Sequence, residues 1–202
     1  MKKQLSARIS LIVIAAIFVL PLLVAWFMYS GTIEYKPSAT KNLGVLVQPP
    51  VPLDWEEAIV LAGNSDIPPA AGKVFNEHWV ILYPVPDNCD KDCFREVTDL
   101  RQIHRASGRQ QSRILIALLI RESANPQTVA MLREVYPVFH LISDLSGSVA
   151  TALAQAAGDN MAIYLIDPLG NIMMAYPSGS DPNNLKQDLK RLLTWSKLDE
   201  QS

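Results

Sequence analysis

Cys89 and Cys93 are the two cysteines of this 202-residue chain, and they stand together at a change of pattern. Before them runs Trp79-Val-Ile-Leu-Tyr-Pro-Val85, apolar and rich in aromatics. After them runs Phe94-Arg-Glu-Val-Thr-Asp-Leu100-Arg-Gln-Ile-His104, apolar at helical spacing, and Pro86-Asp-Asn-Cys89-Asp-Lys-Asp-Cys93 joins the two. A strand therefore hands over to a helix at the dithiol. Two thiols this close can close a disulfide or grip one soft cation between two thiolates.

The local chemistry pulls in two directions. Asp87 or Asn88 is expected to cap the helix, and a helix N-terminus stabilises a thiolate. Asp87, Asp90 and Asp92 surround the pair with negative charge, which disfavours deprotonation. A thiol less acidic than in strongly oxidising dithiol enzymes is the expected result. The alternative is a structural disulfide. A loop this short restrains little of the unfolded chain, so that purpose is poorly served.

The elements that must hold the pair read clearly from residue 79 onward. Strands are expected at 79–85, 113–120, 138–142, 161–167 and 171–176, and helices at about 90–106, 126–135, 147–157 and 181–196. The near-continuous apolar run Ile114–Ile120 suits a parallel strand buried on both faces. Pro168-Leu-Gly170 joins the last two strands as a hairpin. Asp181-Pro182 opens the last helix with a cap and a first-turn proline, and Leu185, Leu189, Leu192, Leu193 and Trp195 supply its apolar face. The alternation predicts an α/β domain whose terminal hairpin adds an antiparallel edge. From 53 to 78 the signals allow only short pieces, with Asp66–Gly72 as loop.

The N-terminus is of another kind. Ile9 to Tyr29 carries no charge and matches the roughly 20 residues that a helix needs to cross about 30 Å of hydrocarbon. Membrane helices tolerate a proline such as Pro21. Lys2, Lys3 and Arg8 precede the run, so the positive-inside rule leaves residues 1–8 in the cytoplasm and the rest of the chain outside. A cleaved signal peptide would have a shorter apolar region ending in a small-x-small site, and Trp26-Phe-Met-Tyr-Ser30 offers none. The expected plan is an anchor over 9–29, a proline-rich tether over 30–52 and a globular domain over 53–198. Prolines 49, 50 and 52 argue against regular structure at the end of that tether.

The balance of 18 Lys+Arg against 20 Asp+Glu leaves no basic footprint for nucleic acid. Neither a glycine-rich phosphate loop, nor a Ser/His/Asp arrangement, nor a zinc-type Cys/His cluster is present. Arg101, Arg105, Arg109 and Arg113 read as a solvated helix face running into a loop.

An anchor, a proline-rich tether, strand-Cys-x-x-x-Cys-helix and the later Ile163-Tyr-Leu-Ile-Asp-Pro-Leu-Gly170 together resemble the Sco/SenC proteins of cytochrome oxidase assembly. The resemblance spans about residues 70–196. It implies a thioredoxin-like fold, a central mixed sheet flanked by helices behind one transmembrane helix. It also implies a role in copper handling or in the thiol chemistry of an oxidase copper site. Partners would be the bacterial inner membrane and an oxidase subunit or another copper or thiol assembly factor, with the domain periplasmic. Cys89 and Cys93 would be the metal ligands. If the dithiol is catalytic, Cys89 is the nucleophile, Cys93 resolves the mixed disulfide, and Asp159 accepts or relays a proton near Cys89.

The chain departs from that family at the third copper ligand. The family's histidine falls, counting five back from Tyr164, on Asp159, a carboxylate better suited to hard cations than to cuprous copper. Arg121-Glu-Ser-Ala-Asn-Pro126 also departs from the family's Asp-Pro loop. Three histidines exist. His78 lies at the far end of its strand, about 20 Å from the pair at roughly 3.3 Å per residue. His104 lies about 16 Å down the helix from Cys93 at 1.5 Å per residue. His140 reads as an ordinary strand residue. Met161, a soft thioether at the start of a strand, is the remaining substitute, while Met173 and Met174 read as packing. Two rival functions stay open. One is a general thiol–disulfide oxidoreductase without metal, although the usual two-residue spacing and a proline before residue 161 are missing. The other is a docking module whose dithiol is vestigial or structural.

Overall fold

The computed structural model describes residues 2–29, 41–56, 58–61, 70–121, 123–157 and 161–196. It divides into two compact units, Met1–Lys41 and Asn42–Ser202. The first contains helix α1 (Lys2–Tyr29), with Pro21 inside it. Its described apolar side chains, from Ile9 to Phe27, are exposed. Among the described residues no helix is long and apolar enough to cross a membrane.

The second unit is built on a seven-stranded sheet. Its elements in chain order are β1 (Val45–Pro52), β2 (Ala58–Val60), α2 (Ala71–Phe75), β3 (Trp79–Pro84), α3 (Lys91–Ala106), β4 (Ile114–Ile120), α4 (Pro126–Val135), β5 (His140–Asp144), α5 (Ser148–Ala156), β6 (Met161–Ile166), β7 (Asn171–Pro177) and α6 (Pro182–Trp195). The strand order is β1-β7-β6-β3-β4-β5-β2. The three strands β3, β4 and β5 run parallel, while β6, β7, β1 and β2 pair antiparallel. Every strand and helix expected beyond residue 79 is present, with ends shifted by a residue or two.

Strand parity divides the core. Trp79, Ile81 and Tyr83 of β3 and Ile114, Ile116, Leu118 and Ile120 of β4 face one side. There they meet Val97, Leu100 and Ile103 of α3 and Leu185, Leu189 and Leu193 of α6. Val80, Leu82, Ala117 and Leu119 face the other side, against Val149, Ala152 and Leu153 of α5 and Phe75 of α2. Both faces of the central strands are buried, which accounts for their unbroken apolar sequence.

Three expectations need correction. The segment Val45–Pro52 is a strand, not merely extended chain. It lies at the sheet edge, where a missing proline N–H leaves no ladder partner unpaired. Its pairing with β7 is also interrupted between Leu46 and Val51, around the prolines. Trp195 does not join the apolar face of α6, standing 84% exposed in the last turn. Arg113 is not simply solvated: its guanidinium donates to the Leu193 and Ser196 carbonyls at 2.9 Å each, satisfying the C-terminal end of α6.

Candidate functional site

The dithiol sits where β3 ends and α3 begins. Only Cys93 belongs to the helix, in its first turn, and it is 4% exposed; Cys89 precedes the helix and is half-buried. They are joined as a disulfide, with Cα atoms 5.2 Å apart. The sequence-based cap was misplaced. Asp90, not Asp87 or Asn88, is the N-cap, and its carboxylate accepts from the Asp92 and Cys93 amides at 3.0 Å each.

Asp87 is occupied elsewhere. Its side chain accepts from the Ser123 hydroxyl at 2.9 Å, and its carbonyl accepts from the Asn125 amide at 3.1 Å. The Val85 amide donates to the Leu119 carbonyl at 2.9 Å. The segment leading into Cys89 is therefore braced against the end of β4 and the β4–α4 connection. Backbone so held presents Cys89 outward and keeps Cys93 behind it.

Beneath the first turn of α3 lies an arrangement that sequence reasoning missed. Tyr83 of β3 is 3% exposed, and its hydroxyl lies near the Glu96 carboxylate of α3. Burial, then Glu96 and Asp90, push the Tyr83 hydroxyl well above the ordinary tyrosine range. Glu96 in turn accepts from the Ser178 hydroxyl at 3.0 Å and the Gly179 amide at 2.9 Å, in the turn between β7 and α6. The signal available in the sequence was only the spacing of Glu96, one helical turn after Cys93.

The other singled-out residues fall as follows. His104 is engaged at the C-terminal end of α3, bonded to the Ile114 carbonyl at 3.1 Å and to Gln111 at 3.0 Å. His140 pairs in register with Ala117 at the start of β5 and stacks edge-on against Phe75. Its pKa is lowered by burial and then by His78. None of the three histidines is brought to the dithiol. Met161 opens β6, and the antiparallel register Leu82↔Tyr164, carried along, sets it level with Val85 near the dithiol end of β3. Asp159 lies outside the described residues. Met174 is buried at 2% exposure, in keeping with packing. Among the described residues no group of three or more His, Cys, Asp or Glu side chains is placed to hold a metal ion. The donor set at the junction is two sulfurs, which fits a soft cation held by two ligands.

A mixed sheet of this order with a disulfide at the β3–α3 junction defines a thioredoxin-like domain. The chain belongs to the family described as transmembrane-like, thioredoxin-like, C-terminal domain, whose model matches residues 79–196. It is similar in structure to apo Sco1 from Thermus thermophilus, with a TM-score of 0.56, 17% identity, and 77% of this chain and 99% of that one covered. Yeast Sco1 with copper bound gives a TM-score of 0.54 at 16% identity, over 81% of this chain and 100% of that one. The thioredoxin domain of a thiol-disulfide oxidoreductase from Bacteroides vulgatus gives 0.50 at 15% identity, over 70% and 97%. At such identities the likeness establishes the fold. No curated protein matches the sequence.

Proposed function

We propose that this protein is a membrane-anchored, extracytoplasmic thioredoxin-like protein whose Cys89–Cys93 pair works in thiol–disulfide exchange or copper delivery during assembly of a respiratory haem–copper oxidase. The observation that carries the reading is the disulfide itself, with one half-buried and one buried sulfur at a braced strand–helix junction. In the reduced state, the Cys89 thiolate attacks a partner disulfide and releases one partner thiolate. The Cys93 thiolate then attacks Cys89, releases the second partner thiolate and closes the intramolecular disulfide, so the partner is reduced as the dithiol is oxidised. Asp159 is assigned the nearby proton acceptor, on its position before β6.

Thiol–disulfide exchange is favoured over a resident metal because two sulfurs suffice for it, while His78, His104 and His140 all lie elsewhere. Cuprous copper is then cargo, passed between the two thiolates and a partner site, with Met161 available as a further soft donor. The Sco proteins sharing this fold support that assignment. The uncharged run Ile9–Tyr29 behind Lys2, Lys3 and Arg8 supports the inner-membrane anchor and the periplasmic placement of the domain.

The test is a host strain carrying Cys89→Ser, Cys93→Ser in place of the native protein, grown with limiting copper. Loss of oxidase activity with the variant still present in carbonate-washed membranes is expected. Full oxidase activity would leave the docking-module reading. A cuprous titration of the reduced protein, repeated with Asp159→His, separates the two chemistries: tighter binding by the histidine variant is expected. Equal affinity would mean that another donor, Met161 first, already completes a site.

A further inference from the structure

We propose that the open cleft formed by β3, β7 and the second half of α6 binds a neutral, planar aromatic molecule bearing a carbonyl oxygen, which accepts from the indole N–H of Trp79. The cleft holds about 540 Å³, within the range of small-molecule sites, and lies wholly in the second unit. Trp79 opens β3, whereas the dithiol lies beyond the other end of that strand. Five residues at roughly 3.3 Å each put about 17 Å of strand between them. This site is separate from the redox centre.

Two observations point to a ligand of this class. Trp79 lines the cleft at 2% exposure, and its indole Nε1 has no hydrogen-bond partner among the described residues. Buried polar groups are normally paired, and an indole N–H only donates, so what completes it is an acceptor. Trp195 lines the same cleft at 84% exposure, presenting an uncovered aromatic ring in the last turn of α6. Aromatic rings stack in offset or edge-on pairs. Met173, Met174 and Leu192 add an apolar wall, and thioether sulfur packs well against an aromatic edge.

The charged groups on the wall argue for a neutral molecule. Asp188 accepts from the Tyr176 hydroxyl, the Leu43 and Gly44 amides and the Arg191 guanidinium. Asp167 accepts from the Leu169 and Asn171 amides and from the Asn171 side chain. Both carboxylates are thus engaged by the fold. An ionic ligand would lose its water without gaining an uncompensated opposite charge, while a carbonyl gains the Trp79 donor.

The experiment uses the full-length protein in detergent, disulfide intact, with 15N-labelled tryptophan. It is titrated with 2-acetonaphthone or with 2-ethylnaphthalene, which has the same ring and nearly the same shape but no acceptor. The indole N–H resonances of Trp26, Trp55, Trp79 and Trp195 are followed, each assigned by its Trp→Phe variant. The ketone should move the Trp79 resonance downfield to saturation and bind about tenfold more tightly than the hydrocarbon. Trp195→Ala, a change at an exposed position, should weaken the ketone about fivefold. Should Trp79→Phe fail to fold, the other three variants assign its resonance by difference. A Trp79 resonance that does not move, or equal affinities for the two compounds, would overturn the proposal. So would a shift confined to Trp26 of α1, which marks partition into detergent only.

Discussion

Asp188 of α6 accepts a hydrogen bond from the Tyr176 hydroxyl of β7 at 3.2 Å, in a contact where the two residues are 2% and 1% exposed. The same carboxylate oxygen accepts from the Leu43 and Gly44 amides at 2.8 and 2.9 Å, and the other oxygen meets Arg191 at 3.2 Å. One buried side chain thus ties the first residues of the domain to its last helix. Gly44 is required there, because a Cβ on it would stand 2.5 Å from the Tyr176 ring.

Asp188→Ala should destabilise a fragment beginning at Asn42 by about 3 kcal/mol. It strands the buried Tyr176 hydroxyl and removes the acceptor shared by the part-buried Leu43 and Gly44 amides. Urea unfolding should show a lower midpoint with an unchanged slope. Lys186→Ala, an exposed change on the same helix, should move the midpoint little. An Asp188→Ala midpoint as small in its shift would mean that Asp188 does not latch the two ends.

How much of this was legible follows from where each interaction comes from. Ile114–Ile120 announced itself because burial on both faces writes an apolar run into the sequence. Asp181-Pro182 announced α6 because a cap is local, and the Asp181 side chain does accept from the Asn183 amide at 2.9 Å. The strand at Val45–Pro52 did not, since its pairing partner is β7, more than a hundred residues on, and its prolines speak against it locally. The cap of α3 was expected at Asp87 or Asn88, and Asp90, an equally competent acceptor, takes it instead. The tie of Asp87 to Ser123 and Asn125, a tertiary contact, decides it. Glu96 was silent for the same reason: the donors that fix it come from Ser178 and Gly179.

His140 makes the domain sensitive to acid. Burial and the neighbouring His78 lower its folded pKa below the ordinary 6.5. The unfolded chain therefore takes up a proton first as pH falls, so stability present above about pH 6.5 is lost below it. The loss is at most about 1.4 kcal/mol per pH unit for one proton. His140→Asn should flatten this limb in urea melts at pH 7.5 and 5.0 while keeping the neutral-pH midpoint close. Parallel curves for the two proteins would place the acid sensitivity elsewhere.

The Asp90 cap links helix stability to the dithiol. Asp90→Ala removes the acceptor for two first-turn amides, Asp92 and Cys93, and should cost about 1 kcal/mol. Asp90→Asn keeps a side-chain acceptor and should recover most of it. Thermal melts of the two variants beside the parent decide this, and equal losses would show that the charge rather than the cap matters.

The disulfide itself should be a modest staple. The core packed around α3, Val97, Leu100 and Ile103 against β3 and β4, does not depend on it. In the chain-entropy account so short a loop stabilises by about 2 kcal/mol, less than longer loops do. Reduction should therefore lower Tm by only several degrees and leave a cooperative transition. The Cys89→Ser, Cys93→Ser variant should melt close to the reduced protein, since both lack the crosslink. Once reduced, Cys89 should alkylate faster than Cys93, because Cys93 is 4% exposed and Cys89 is not fully covered. Collapse of the fold on reduction would show that the crosslink is structural, and equal alkylation rates would remove the distinction between an outer attacking sulfur and an inner resolving one.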